Sequence, residues 1–297
     1  MTASFKSGFI AIIGPPNVGK STLINTVVGE KVSIVTPKPQ TTRNRILGIK
    51  NLPQAQLIFV DTPGIHLAQK KFNVYLVEIA RAAFKECDII LVMIEAPKPL
   101  VGEEFDYVRK SLKNIEKPVF LLINKIDLIE KTELLPLIDE YRTLFPFQEI
   151  IPISALNGSG VDQLEKTLLN YLPEGPRFFP EDMYTDQPER FLVAEIIREK
   201  IFILLRKELP YSVAVEINEF KERNDGLVFI RASIWVEKQS QKGIVIGNQG
   251  RMLKEIGKRA REEIERVLNK KVYLDLWVTV KKRWTLNDAA IKQSLTT

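Results

Sequence analysis

Five short runs limit what this chain can fold into. FIAIIG (9–14), LIFVDT (57–62), DIILVMI (88–94), PVFLLIN (118–124) and EIIPIS (149–154) are apolar at almost every position rather than at alternate ones. A strand with one wet face alternates. A run without polar alternation needs cover on both faces, as in a parallel sheet between helical layers. Stretches of helical character at 20–28, 73–86, 102–114, 133–144 and 161–172 fall between the runs. The alternation predicts a doubly wound, mostly parallel sheet over 1–172, with ligands at the carboxyl ends of its strands.

The pattern then changes. Prolines at 173, 176, 180 and 188 remove amide donors and fix φ, so neither a helix nor a central strand can run through 173–188. That stretch reads as an ordered, proline-rich linker. Beyond it come a helix (189–207), two strands (211–219, 227–237), two helices (239–246, 251–268) and a strand (271–280). This is an α+β domain over 189–281, with a tail at 282–297. Trp235 and Trp277 lie in strand patterns and are expected in the core.

Composition excludes several classes. No run approaches a membrane span, and the apolar run after Lys6 is too short for a secretory leader. The single cysteine, Cys87, rules out an internal disulfide framework and fits a reducing cytosol, as a structural thiol. Net charge is +6, and 238–271 alone holds 10 basic against 4 acidic residues. So local an excess points to a polyanionic partner.

The chemistry sits at strand ends. GPPNVGKS (14–21) follows a strand and opens a helix. Gly14 and Gly19 let the loop formed with Pro15, Pro16, Asn17 and Val18 wrap closely around phosphate. Lys20 reaches the β/γ-phosphates, Ser21 offers a hydroxyl to Mg²⁺, and Thr22 completes the phosphate-binding run. DTPG (61–64) ends the second apolar run, with Asp61 placed to hold Mg²⁺ through water and Gly64 to offer its amide to the γ-phosphate. A Pro-Gly turn would explain the tetrapeptide but not its position. In NKID (124–127), Asp127 can accept from the ring N–H and exocyclic amine of guanine, a pair adenine does not offer. Asn124 can bond the opposite edge and Lys125 can lie over the base. In SAL (Ser154, Ala155, Leu156) a backbone amide can meet the guanine oxygen.

These four motifs together resemble translation-factor-related bacterial GTPases, and QTTR (40–43) is similar to their first switch, which implies Thr42 as a γ-phosphate and Mg²⁺ sensor. The stretch LPEGP…FPEDM…RF…AEIIREK (172–200), with the basic GNQG domain, is similar to the Era-type ribosome-assembly GTPases. The resemblance spans nearly the whole chain. It implies a P-loop GTPase domain followed by a type II KH domain, with GTP or GDP and Mg²⁺ as cofactors. Its catalytic set would be Lys20, Thr42, Asp61, Gly64 and Asn17, with Ser21, Thr42 and Asp61 on Mg²⁺. Where many GTPases carry a glutamine after the DxxG glycine, this chain has Ile65, which cannot orient water, so intrinsic turnover is expected to be slow. Related GTPases with this substitution use a P-loop asparagine to bind K⁺. Asn17 stands at that position; the alternative is that it only stabilises the turn. The one histidine, His66, is more readily a structural loop residue than a general base.

In the second domain, Gly247, Asn248, Gln249 and Gly250 match the GxxG loop that clamps a sugar-phosphate backbone in KH domains. Leu253, Ile256, Ala260, Ile264 and Val267 give the next helix a core face, while Arg251, Lys254, Lys258 and Arg261 form a separate stripe. A charged stripe is usually only a solvated face; beside GxxG it reads as an RNA surface. An apolar groove including Ile244 and Ile246 is expected to take splayed bases. The resemblance implies the 3′ end of 16S rRNA and the 30S subunit as targets, with a monomeric, cytoplasmic protein. At most it implies a weak peripheral membrane fraction. Two other readings stay open: an RNA chaperone or scaffold gated by GTP binding, with hydrolysis only for reset, and a GTPase acting on tRNA. The tail (281–297) departs from the aromatic ending expected of the family. If Asn17 binds K⁺, hydrolysis runs faster in K⁺ than in Na⁺ and Asn17→Ala abolishes the difference; equal rates in the two salts would remove this role.

Overall fold

The first unit is built on a six-stranded sheet of order β2-β3-β1-β4-β5-β6. Its strands are β1 (Lys6–Ile13), β2 (Ile46–Leu52), β3 (Ala55–Asp61), β4 (Ile89–Glu95), β5 (Val119–Asn124) and β6 (Glu149–Pro152). The structure, a computed structural model, describes residues 4–38, 41–62, 86–98, 102–112, 115–206 and 208–295. Every neighbouring pair is parallel except β2–β3. Helices α1 (Lys20–Val28), α2 (Gly102–Ser111), α3 (Lys131–Leu144) and α4 (Val161–Tyr171) accompany it. Alternate strand residues feed two separate cores. Ile10, Ile12, Phe59 and Leu91 pack with Leu23, Ile24 and Leu168, while Ala11, Ile13, Val92 and Leu121 pack with Phe105 and Tyr141. Burial on both faces is why these runs lack alternation.

Strand β2 was not among the expected strands. It is an antiparallel edge strand whose last residues, Lys50 to Leu52, are only half-buried, so it lacks the continuous apolar signature. The proline-rich segment runs along its outer edge. Ile49 N–H donates to Tyr184 O (2.9 Å) and Leu47 N–H to Asp186 Oδ1 (3.1 Å), and Gly48 bridges Thr185. Gln56 Oε1 accepts from the Phe178 and Phe179 amides at 2.9 and 3.0 Å. A strap tied by a few bonds tolerates prolines and covers an edge that would otherwise be open to pairing.

The second unit runs α5 (Glu189–Leu204), β7 (Ala214–Glu222), β8 (Val228–Val236), α6 (Gln239–Ile246), α7 (Arg251–Leu268), β9 (Val272–Val280) and α8 (Asp288–Leu295). Strand order is β7-β8-β9, with β7–β8 antiparallel and β8–β9 parallel. One sheet face shares a core with α5, α6 and α7. The tail packs on this unit. Trp284 is buried, stands edge-on to Trp235 at 6.2 Å and donates Nε1–H to Ser212 O at 2.9 Å. Trp235 is core, but Trp277 corrects the expectation at 61% exposed. In β9, Leu274 and Leu276 join the core, so 277 points to the opposite face. Its Nε1–H is held by Asp275 Oδ2 at 3.0 Å. Cys87 is buried, which pushes its thiol pKa up. Segment Ile34–Thr41 clusters with this second unit, whereas Ser33 and Thr42 on either side cluster with the first.

Candidate functional site

Four sequence motifs meet at the carboxyl ends of β1, β3, β5 and β6. The loop after β1 turns through Gly14 (φ 154°), Asn17 (φ 65°) and Gly19 (φ 103°). A Cβ on Gly14 would lie 2.2 Å from Met93 O, and one on Gly19 2.3 Å from Asn124 Nδ2. Both positions therefore demand glycine for closeness as well as φ. Lys20 opens α1, is nearly buried, and donates Nζ–H to Gly14 O (3.1 Å) and Pro15 O (2.9 Å). Desolvation lowers its pKa to about 8 against the pull of Asp61.

Asp61 closes β3 with no exposed surface. Ser33 Oγ–H and Ser21 Oγ–H donate to its Oδ2 at 2.6 and 2.8 Å, with Thr42 Oγ1–H at 3.4 Å. Ser21 Oγ and Thr42 Oγ1 are themselves 2.9 Å apart. Desolvation raises the Asp61 pKa, while these hydroxyls and Lys20 oppose the rise. Its Oδ1 is buried without a hydrogen-bond partner. A buried carboxylate with one satisfied oxygen and one unsatisfied oxygen, beside two hydroxyls, suits a hard divalent cation such as Mg²⁺.

Asn124 acts as a brace. Its Nδ2–H donates to Val18 O at 2.7 Å, and its Oδ1 accepts from Ala155 N–H at 2.8 Å. The phosphate loop and the SAL loop are thus tied through one buried side chain, a role that sequence reasoning missed. Lys125 takes φ 64° and pairs with Glu95. Asp127 stands exposed in the short 3₁₀ turn Ile126–Leu128. Ser154 is buried and Leu156 is 81% exposed. Gly64, Ile65 and His66 lie outside the described residues, as does the expected helix at 73–86 apart from Glu86.

In the second unit the GNQG turn links α6 to α7 with Gly247, Gln249 and Gly250 all at positive φ. Beside it lies a groove of about 700 Å³ lined by Arg251, Lys254, Lys258, Arg261, Tyr273 and Leu276. The basic stripe therefore borders a concave, partly apolar surface. Leu253, Leu274 and Leu276 supply its apolar lining; Ile244 is 56% exposed and Ile246 packs on the core.

A buried acid at the end of β3, a lysine in a glycine-edged loop and an NKID turn on one mostly parallel sheet define a guanine-nucleotide-binding P-loop protein, here joined to a KH-type unit. Residues 9–125 match the family described as 50S ribosome-binding GTPase, and residues 208–285 match the KH domain. The chain belongs to the Era GTPases. It is 54% identical over 289 residues to GTPase Era of Geotalea uraniireducens, covering 97% of each chain. It is also 54% identical over 291 residues to that of Geobacter metallireducens, again covering 97% of each. A variant of Aquifex aeolicus Era bound to GDP·AlF4⁻ superposes with TM-score 0.94 at 47% identity, covering 98% of this chain and 99% of that one. Era in complex with MgGDPNP and nucleotides 1506–1542 of 16S ribosomal RNA also superposes with TM-score 0.94 at 47% identity, covering 98% of each chain.

The brace sets a test. Two buried hydrogen bonds at about 0.5–1.5 kcal/mol each make Asn124→Ala cost about 1–3 kcal/mol of nucleotide binding, or roughly 5–150-fold in Kd. Fluorescent-GDP titration reads this directly, and an unchanged Kd would show that the loops hold themselves.

Proposed function

We propose that this GTPase is a switch whose nucleotide state governs a KH groove for single-stranded RNA at the 3′ end of 16S rRNA, in service of small-subunit maturation. The observation that carries the reading is the groove itself: a positive-φ GNQG turn beside a hollow lined by Arg251, Lys254, Lys258 and Arg261 together with Leu253, Leu274 and Leu276. Phosphate clamping by the turn and α7 would hold the backbone while unstacked bases enter the groove. The Era complex with MgGDPNP and nucleotides 1506–1542 supports the choice of RNA.

In the first unit the amides of 14–22 and Lys20 would cradle the phosphates, and Asp127 would read guanine with Lys125 over the base. A backbone amide of the SAL loop (154–156) would meet the base oxygen. Ser21, Thr42 and Asp61 would hold Mg²⁺, which when bound offsets charge on the phosphate oxygens. Thr42 and the Gly64 amide would sense the γ-phosphate, and Asn17 would hold K⁺. The working form would be a cytoplasmic monomer; basic surface supports no more than weak binding to anionic lipid, and no helix among the described residues is long and apolar enough to cross a membrane.

Crosslinking the GTP-bound protein to total RNA tests the reading. Sites concentrated at the 3′ end of small-subunit RNA are expected, and enrichment on tRNA or elsewhere would overturn it. Lys254→Ala and Arg261→Ala should each weaken RNA binding and flatten its salt dependence by about one unit of slope.

A further inference from the structure

One hydroxyl at the buried acid belongs to none of the nucleotide motifs. Ser33 is 3% exposed, and its Oγ–H makes the shortest of the three hydroxyl bonds to Asp61 Oδ2, at 2.6 Å against 2.8 Å from Ser21 and 3.4 Å from Thr42. A bond of that length to a carboxylate oxygen belongs to the charge-assisted class, roughly twice as strong as a neutral one.

A second side chain fixes where Ser33 stands. Gly29, in the left-handed region at φ 86°, ends α1 and lets the chain reverse. As the chain returns, Asn25 on the last turns of α1 takes hold of it. Asn25 Oδ1 accepts from Val32 N–H and Ser33 N–H, each at 3.0 Å, and its Nδ2–H donates to Ser33 O at 2.7 Å. Val32 is itself buried in the first core with Leu23 and Ile24. With both backbone groups of Ser33 taken by Asn25, only χ1 remains to place the hydroxyl, and it is placed on the acid. Asn25, Ser33 and Asp61 all belong to the first unit.

The three hydroxyls on Asp61 differ in their duties. Ser21 and Thr42 are read above as Mg²⁺ ligands, so their positions answer to the ion and to the nucleotide. Ser33 has no such task and is tied to α1 through Asn25. Holding Oδ2 sets the rotation of the carboxylate, and with it the place of Oδ1, the buried oxygen that has no hydrogen-bond partner. Carboxylates that serve a metal are commonly oriented by such hydrogen bonds, and the ion's affinity depends on them. We propose that Ser33, clamped by Asn25, is a positioning residue that orients Asp61 for Mg²⁺. The proposal rests on the reading of Ser21, Thr42 and Asp61 as the Mg²⁺ set.

The test is the Mg²⁺ dependence of nucleotide binding by the full chain, read as the Kd of a fluorescent GDPNP over a series of free Mg²⁺ concentrations and in EDTA. The parent is expected to bind more tightly in Mg²⁺ than in EDTA, with a midpoint that measures the site's affinity for the ion. Loss of a partner that orients a metal-binding side chain typically costs about 10–100-fold in metal affinity. Ser33→Ala should therefore move the midpoint to about 10–100-fold higher Mg²⁺ and leave the Kd in EDTA unchanged. Ser33→Thr keeps the hydroxyl and should lie closer to the parent. Asn25→Ala acts through Ser33, so it should shift the midpoint in the same direction, and adding Ser33→Ala to it should move the midpoint little further. Should Ser33→Ala fail to fold, as judged by its unfolding transition, Asn25→Ala carries the same test at a half-buried side chain. A Kd weakened equally in Mg²⁺ and in EDTA would show that Ser33 only props the loop, and an unmoved midpoint would show that Asp61 needs no such support. Either result overturns the proposal and leaves the Mg²⁺ site as read. A parent indifferent to Mg²⁺ would overturn the reading of the Mg²⁺ set, and the proposal with it.

Discussion

Much of this structure depends on one buried carboxylate. Asp61 has no exposed surface, and an uncompensated charge there would cost several kcal/mol. Three hydroxyls converge on one oxygen, from the start of α1 (Ser21) and from both ends of the loop that follows it (Ser33, Thr42). Bonds to a charged acceptor are each worth about 1.5–3 kcal/mol, enough to decide where those backbones lie. The other oxygen has no partner. A site that is half satisfied in this way is ready for a cation and sensitive to whatever binds beside it.

From that point the architecture divides the work. Strand ends bring the GPPNVGKS loop, Asp61 and the NKID turn together, and Asn124 ties the first of these to the SAL loop through two short bonds. Within the second unit, α5 holds Val35 and Thr41 through Glu199 and Arg198. The strap along β2 contributes edge protection and connection rather than chemistry.

Legibility in the sequence followed physical constraint. The doubly burned-in signals were strands covered on both faces and motifs whose chemistry needs fixed residue types at strand ends; Lys20, Asp61 and Asp127 were placed from these alone. Strand β2 escaped because an edge strand needs no continuous apolar run. Trp277 was misread because composition cannot say which face of β9 points inward, and the packing of Trp284 is not legible locally because its burial depends on Trp235, far away in the chain. AEIIREK shows its charges as an ordinary wet helix face. Only tertiary packing reveals that Arg198, Glu199 and Lys200 are buried, so no local pattern could have exposed their connection to Val35. Likewise Asn124 was read as a base ligand because its motif says so, while its brace needs the distance to Val18.

The central claim is that RNA in the groove and chemistry at the phosphate loop belong to one device. Single-turnover GTP hydrolysis, measured with and without single-stranded small-subunit 3′-end RNA and with a scrambled RNA of equal length and charge, tests it most directly. The account predicts a rate changed by the 3′-end RNA and not by the scrambled one. Identical rates in all three conditions, with binding of the 3′-end RNA confirmed in the same mixture, would contradict it.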